Sequence, residues 1–139
     1  DYEKEKSFAK IALSAESGGA DAVSAVNTFV GLSIDYKTGD FILSNKFGGV
    51  SGPAIKPMAL AKVHQIYNSV KIPIIGMGGI SCFKDVIEFI RVGASMIQIG
   101  TLNYRDPSIL SKFNGELINF LKSNNIKDLS ELLGAYNEG

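Results

Sequence analysis

Two glycine-containing turns carry the clearest chemical signal in this sequence. The first is Gly-Met-Gly-Gly-Ile at 76–80, between a short apolar run and a segment with apolar residues at helical spacing. A strand that ends in glycines and opens a helix leaves backbone N–H groups unpaired, and Gly78 and Gly79 would let a phosphate approach them closely. A tight turn without any ligand is the alternative. A second turn, Gly100-Thr101, follows the next apolar run and favours the phosphate interpretation.

The elements that would position these turns alternate along the chain. The pattern predicts strands over 20–26, 72–76 and 95–99, and helices over 3–17, 57–68, 81–91 and 110–122, with a short last helix over 129–133. Alternating strands and helices require a parallel sheet. Polar or glycine residues follow each predicted strand, and ligands of such sheets gather at that end.

Residues 29–50 interrupt this alternation. Apolar runs at 32–36 and 41–43 flank Lys-Thr-Gly-Asp at 37–40, which predicts a β-hairpin after the first strand. Such an excursion is a typical place for functional loops. The apolar Phe41 and Phe47, with Leu43, are expected to face either the core or a partner subunit.

Composition narrows the class of protein. The chain has 139 residues, of which 45% are hydrophobic and 20% charged, with a formal net charge of zero, so it suits one globular domain. Equal numbers of acidic and basic residues give no reason to expect a nucleic acid or an anionic membrane as a partner. No apolar run approaches the roughly 20 residues that span a bilayer, and no stretch resembles a signal peptide. The single cysteine, Cys82, excludes an internal disulfide, so we expect a cytoplasmic protein.

Chain length conflicts with a complete barrel. A (β/α)8 barrel takes about 250 residues and eight strands, with paired phosphate-binding loops after strands seven and eight. The last two turns of this chain look like those loops, and three parallel strands alone would leave two open edges. We therefore predict an α/β fold that is the C-terminal portion, about strands 6 to 8, of a TIM barrel.

Several segments, in order, resemble class 1 dihydroorotate dehydrogenases. The most specific is Gly-Gly-Val-Ser-Gly-Pro-Ala-Ile-Lys-Pro at 48–57, accompanied by Val-Asn-Thr at 26–28, Ile-Ile-Gly-Met-Gly-Gly-Ile at 74–80, and Gly-Ala with Ile-Gly-Thr within 93–101. The resemblance covers nearly the whole chain and implies that residues 1–139 are the C-terminal part of one FMN-binding barrel domain. It also implies the reaction, which is oxidation of dihydroorotate to orotate in pyrimidine biosynthesis.

The resemblance implies a role for each matching residue. The FMN phosphate would be held by Gly78, Gly79, Gly100 and Thr101. The flavin would lie against Val26, Ser51 and Gly52, and the pyrimidine would be bound by Asn27 and Thr28. These residue types suit those roles, since an amide matches ring N–H and C=O groups and glycines admit a planar cofactor. The family's cysteine base has no counterpart here, so we expect no catalytic residue in this chain and no activity from it alone.

The subclass follows from a few positions. Met77 and the segment Gly-Thr-Leu-Asn-Tyr at 100–104 resemble the 1B branch more than the fumarate-using 1A branch. That resemblance implies a second subunit, an iron–sulfur flavoprotein with FAD that passes electrons to NAD, and a homodimer of the full-length chain.

Other polar residues receive structural interpretations. His64, the only histidine, is predicted as a partly exposed helix residue rather than a metal ligand, and Cys82 as an inert residue at a helix start. Asp85 and Glu88 are expected to face water. Lys56 is expected to be solvated, although it lies inside the most specific motif; the same holds for Lys37 and Lys46.

Two other functions stay open from the sequence. One is another phosphate-binding barrel, such as an isomerase or synthase of a sugar phosphate, and the motif at 48–57 argues against it. The other is a non-catalytic half-barrel that self-associates, which would show as a stable oligomer with no affinity for flavin.

Overall fold

Three short parallel strands organise the computed structural model, which describes residues 7–137. The helices are α1 (Ser7–Ser17), α2 (Lys56–Tyr67), α3 (Phe83–Arg91), α4 (Thr101–Arg105) and α5 (Ile109–Ser123). The strands are β1 (Val23–Ala25), β2 (Phe29–Leu32), β3 (Phe47–Val50), β4 (Ile74–Gly76) and β5 (Met96–Ile97), and single 3-10 turns span Pro53–Ile55 and Leu129–Glu131. The part of the predicted first helix before residue 7 lies outside the described residues.

The predicted parallel sheet is confirmed, with β4 between β1 and β5. Helices pack on it through a core in which Ala59, Val63, Phe89 and Ala94 have no exposed surface. This packing is close, because a Cβ built on Gly76 would lie 2.8 Å from the Phe89 ring. The glycine that ends β4 therefore lets α3 approach the sheet directly beneath the glycine turn.

The hairpin differs from its prediction. Its ladder joins β2 to β3, pairing Phe29 with Val50 and Leu32 with Phe47, whereas the predicted strands at 32–36 and 41–43 share one isolated bridge. At the tip, Asp35 Oδ1 accepts hydrogen bonds from the backbone N–H groups of residues 37 and 38 and forms a turn where one was predicted. The predicted strand at 41–43 is interrupted by a second turn, in which Lys46 N donates to Leu43 O at 2.8 Å. Many apolar side chains of this hairpin are exposed: Val30, Leu32, Ile34, Tyr36, Phe41, Ile42, Leu43, Phe47 and Val50.

The region after β4 matches the predicted elements with three differences, one of which is that the predicted last helix over 129–133 is only a 3-10 turn over Leu129–Glu131. Strand β5 has two residues instead of the five predicted over 95–99, and the short helix α4 was not predicted. Asp106 forms a turn between α4 and α5, where its Oδ1 accepts hydrogen bonds from the backbone N–H and hydroxyl of Ser108. Across residues 7–137, none of the helices has the length and apolar character needed to cross a bilayer.

Candidate functional site

The carboxyl ends of all three parallel strands open into one cleft of about 520 Å3. It is lined by residues 26–28 after β1, 77–80 after β4, and 98–101 after β5, together with the turn that follows β3. This volume suits a cofactor or a substrate of similar size. The structure brings together every residue that the sequence pointed to: Val26, Asn27, Thr28, Ser51, Gly52, Gly78, Gly79, Gly100 and Thr101. Their individual roles stay predictions.

The glycine turn after β4 offers free hydrogen-bond donors. Sheet pairing continues one residue past the strand, where Met77 N donates to Ala25 O at 2.7 Å. Beyond it, the N–H groups of Gly78 and Gly79 donate no hydrogen bond to any group within residues 7–137. Unpaired backbone donors at the edge of a cleft are what an anion such as phosphate requires.

Gly79 also lets this turn pack directly on the turn after β3. Its φ is +76°, and a Cβ there would lie 2.7 Å from Lys56 N and 2.9 Å from Gly52 O. Backbone therefore meets backbone at this point, and any larger residue would push the two turns apart.

The third side of the cleft is held by a hydroxyl pair. Thr101 Oγ1 donates to Ser51 Oγ at 3.0 Å, which links the start of α4 to the turn after β3. Beside it, Gly100 has no atom within 4 Å of the position that a Cβ would take. Since Gly100 lines the cleft, that open space is accessible to a ligand.

Asn27 presents an oriented amide to the cleft. Its Oδ1 accepts a hydrogen bond from Thr28 N at 2.7 Å, and no group of the described chain pairs with its Nδ2. The side chain of Thr28 fits against β3 only because residue 49 is glycine, where a Cβ would lie 2.3 Å from Thr28 Oγ1. The Nδ2 group of Asn27 is therefore a donor available to a ligand in the cleft.

The sequence reasoning missed two polar residues of the cleft, Ser24 and Gln98. Each lies two residues before a predicted site residue, Val26 and Gly100 respectively. Because side chains alternate across a strand, stepping back by two from each strand end would have found them.

The predictions for Asp85 and Lys56 were wrong. Asp85 is 4% exposed rather than facing water. Its Oδ1 lies 2.6 Å from Lys56 Nζ, and its Oδ2 accepts hydrogen bonds from Ser81 N, Ser81 Oγ and Cys82 N at 2.7, 2.9 and 3.0 Å. Lys56 Nζ also lies 2.7 Å from Glu88 Oε2, so two carboxylates hold it instead of water. The helical pattern hid this contact, because Lys56 and Asp85 are distant in sequence.

These contacts shift both ionisation equilibria. Burial of the Asp85 carboxyl opposes its ionisation, but the hydrogen bonds from Lys56, Ser81 and Cys82 outweigh burial and hold its pKa well below 3.8. The same hydrogen bond, with a second one to Glu88, raises the pKa of Lys56 above its ordinary 10.5. Both groups are therefore charged throughout the physiological range.

Acid should destabilise this protein mainly through Asp85. Because its folded pKa is depressed, its contribution to the free energy of unfolding is fully present above the unfolded pKa, near 4, and is lost as the pH falls below it. We expect the free energy of unfolding to fall by on the order of 2 kcal/mol between pH 6 and pH 2.5, and by clearly less in the Asp85→Asn variant. The midpoints of urea unfolding at each pH measure both changes. Asp106 serves as the control for Asp85, because its pKa is also lowered, to about 2, by Lys112 and Ser108, but its side chain is more exposed than that of Asp85. An Asp85→Asn variant that loses as much stability in acid as the parent would contradict the expectation.

The remaining singled-out residues lie away from the cleft. His64 is half-buried on α2, its ring 4.9 Å from that of Tyr136. Cys82 is exposed directly before α3 and does not line the cleft. In the described part of the chain, no three His, Cys, Asp or Glu side chains come together to hold a metal ion.

Fold and cleft together define the class: an α/β protein with a parallel sheet whose ligand site lies at the carboxyl ends of its strands. The chain belongs to the dihydroorotate dehydrogenase family, whose sequence signature it matches over residues 1–121.

Curated relatives agree with this assignment. The chain is 48% identical over 126 residues to the catalytic subunit of dihydroorotate dehydrogenase B (NAD(+)) from Parabacteroides distasonis, covering 91% of this chain and 41% of the relative. It is 46% identical over 128 residues to the protein of the same name from Brachyspira hyodysenteriae, covering 92% of this chain and 42% of the relative. The chain thus spans about two fifths of the length of the curated relatives it matches.

A solved structure is similar as well. The dihydroorotate dehydrogenase of Eimeria tenella, crystallised in complex with ferulenol, superposes with a TM-score of 0.73 at 27% identity. The superposition covers 91% of this chain and 34% of that protein.

Proposed function

We propose that this chain supplies the FMN-phosphate site and part of the substrate site of a dihydroorotate dehydrogenase that oxidises dihydroorotate to orotate in pyrimidine biosynthesis. Residues 1–139 then form about strands 6 to 8 of its (β/α)8 barrel. The observation that carries the proposal is the convergence of the two glycine turns and the Asn27–Thr28 pair on one cleft. The names of the curated relatives support the choice of reaction.

The cleft fits a flavin phosphate. The unpaired N–H groups of Gly78 and Gly79 would donate to phosphate oxygens, and the open space at Gly100 leaves room for the phosphate to approach the backbone. The Thr101 hydroxyl would turn from Ser51 Oγ to the phosphate. Val26, with Ser51 and Gly52, would form one wall against the flavin ring. When bound, FMN accepts the hydride that leaves the substrate.

Asn27 and Thr28 would orient the pyrimidine. Asn27 Oδ1 is already engaged by Thr28 N, which restrains the amide, so its Nδ2 would be free to donate to a substrate carbonyl. Preorganised donors of this kind hold the reacting carbon at the flavin without reorganising during the reaction.

We place the catalytic base outside this chain. Cys82 does not line the cleft, and the curated relatives are more than twice as long as the matched region. Those relatives are named type B catalytic subunits, which supports a second subunit here too, proposed to be an iron–sulfur flavoprotein with FAD. We further propose a homodimer of the full-length chain and a cytoplasmic location.

Titration of the chain with FMN and with riboflavin, followed by quenching of flavin fluorescence, tests the proposal. We expect saturable binding of FMN and weaker binding of riboflavin, because only FMN carries the phosphate that the glycine turns would hold. A folded chain that ignores FMN at high micromolar concentration would contradict the proposal and favour a half-barrel without flavin function.

Gly100→Ala sharpens this test. A methyl group there should enter the phosphate space and raise the FMN dissociation constant by about tenfold or more. Gly115→Ala on α5 is the matched control, because Gly115 likewise has no atom within 4 Å of its Cβ position and lies away from the cleft. It should leave FMN binding unchanged and raise the free energy of unfolding by about 0.5–1 kcal/mol. Equal effects of the two substitutions would rule out a phosphate at Gly100.

A further inference from the structure

The ion pair between Lys56 and Asp85 joins the two turns that form the floor of the cleft. Lys56 follows the 3-10 turn after Gly52, and Asp85 holds the end of the glycine turn through Ser81 and Cys82. Neither Lys56 nor Asp85 lines the cleft itself. The pair therefore acts on the shape of the site from behind it.

The geometry leaves Lys56 unable to bind a phosphate directly. Its Nζ is held at 2.6 Å by Asp85 Oδ1 and at 2.7 Å by Glu88 Oε2. One cation between two carboxylates carries a net charge of −1, so the cluster offers no attraction for an anion. Anion recognition is left to backbone N–H groups, whose directions depend on how the turn is held.

The contact between the turns is tight enough to transmit this restraint. A Cβ on Gly79 would lie 2.7 Å from Lys56 N, so the backbone of residue 56 packs closely against the glycine turn where its free N–H groups lie. Lys56 thus touches the turn twice, through its own backbone and through the carboxylate of Asp85. A loss of the ion pair would leave residues 81–82 hydrogen-bonded to Asp85 but would remove their link to the Lys56 side chain, so that the turn could move away from residue 56.

We propose that Lys56 is a positioning residue which, through Asp85, fixes the glycine turn against the turn after β3 and so sets a preference for phosphorylated over unphosphorylated flavin. This inference rests on the proposed function. It assigns to Lys56 a role in affinity without any contact to the ligand.

The test compares dissociation constants for FMN and riboflavin in the full chain and its Lys56→Met and Lys56→Arg variants. We expect Lys56→Met to weaken FMN binding by about tenfold or more and riboflavin binding by less than about twofold, because only the phosphate contacts need the turn in place. Lys56→Arg, which keeps the charge, should recover most of the preference. Lys112→Met is the matched control, since it breaks the Lys112–Asp106 pair away from the cleft and should change neither constant.

A second variant and a second measurement guard against misfolding. Lys56→Met leaves the Asp85 carboxylate buried without its cation, whereas the double variant Lys56→Met/Asp85→Asn removes both charges and keeps an acceptor for Ser81 and Cys82. It should show the same loss of preference. Amide hydrogen exchange over residues 78–82 should be faster in both variants than in the parent, and this measurement needs no flavin.

The outcomes separate this inference from the proposed function. A parent chain that binds neither flavin contradicts both together. A parent that prefers FMN contradicts the inference alone if folded Lys56→Met keeps the same preference and exchange rates, or if it weakens both flavins equally.

Discussion

Gly79→Ala is expected to lower the free energy of unfolding by roughly 3 kcal/mol and to abolish flavin binding. Two costs add. A residue with a Cβ at φ +76° loses about 1–2 kcal/mol, and a methyl group 2.7 Å from Lys56 N overpacks the junction of the two turns, at about 1–3 kcal/mol. Urea unfolding followed by circular dichroism measures the stability, and fluorescence titration measures the binding.

Gly39→Ala separates the two costs. Gly39 has nearly the same backbone conformation, with φ +78°, but no atom lies within 4 Å of its Cβ position at the hairpin tip. Only the conformational cost of about 1 kcal/mol should appear there, with flavin binding intact. If both substitutions cost the same, the close packing of the glycine turn on residue 56 contributes nothing, and the steric argument fails.

Phe89→Ala is expected to lower the free energy of unfolding by about 4 kcal/mol, the usual size for a phenylalanine removed from a closed core. Phe89 is fully buried on α3, and its ring packs on the backbone of Gly76 at the end of β4. The cavity would open directly beneath the glycine turn, so weaker binding of FMN should accompany the lost stability. Chemical denaturation with and without saturating FMN measures both effects.

Phe47→Ala provides the comparison for Phe89. The Phe47 side chain is 59% exposed on the hairpin, so its removal should cost less than about 1 kcal/mol. A Phe89→Ala variant that is no less stable than Phe47→Ala would mean that α3 does not pack on the sheet as described.

Local patterns in the sequence predicted four of the five helices, the three parallel strands and most of the residues of the cleft. Apolar periodicity identified α2, α3 and α5, because each buries one face. Parallel strands place their carboxyl ends at one edge, so residues after each strand were expected to meet there. The cleft contains every residue predicted on this basis. Residues such as Ser24 and Gln98 were missed because only the ends of strands were considered.

Local patterns failed where a side chain acts at a distance or bends the chain. A second turn in the hairpin, closed by a hydrogen bond from Lys46 N to Leu43 O, interrupts the predicted strand at 41–43, and the ladder forms at residues 29–32 and 47–50 instead. The Asp106 carboxylate accepts hydrogen bonds from Ser108 and so forms a turn between two helices, in a segment without clear periodicity.

The sequence by itself determined the family, the order of the main elements and most of the residues that surround the cleft, since each depends on short motifs and on the periods of helix and strand. Only the tertiary structure decided what Lys56 and Asp85 do. Helical spacing placed Asp85 beside Glu88 on a face expected to meet water, but folding brings Lys56 from 29 residues away to within 2.6 Å. A carboxylate becomes stable in the interior only when such a partner and backbone donors converge on it, and no local pattern records that convergence.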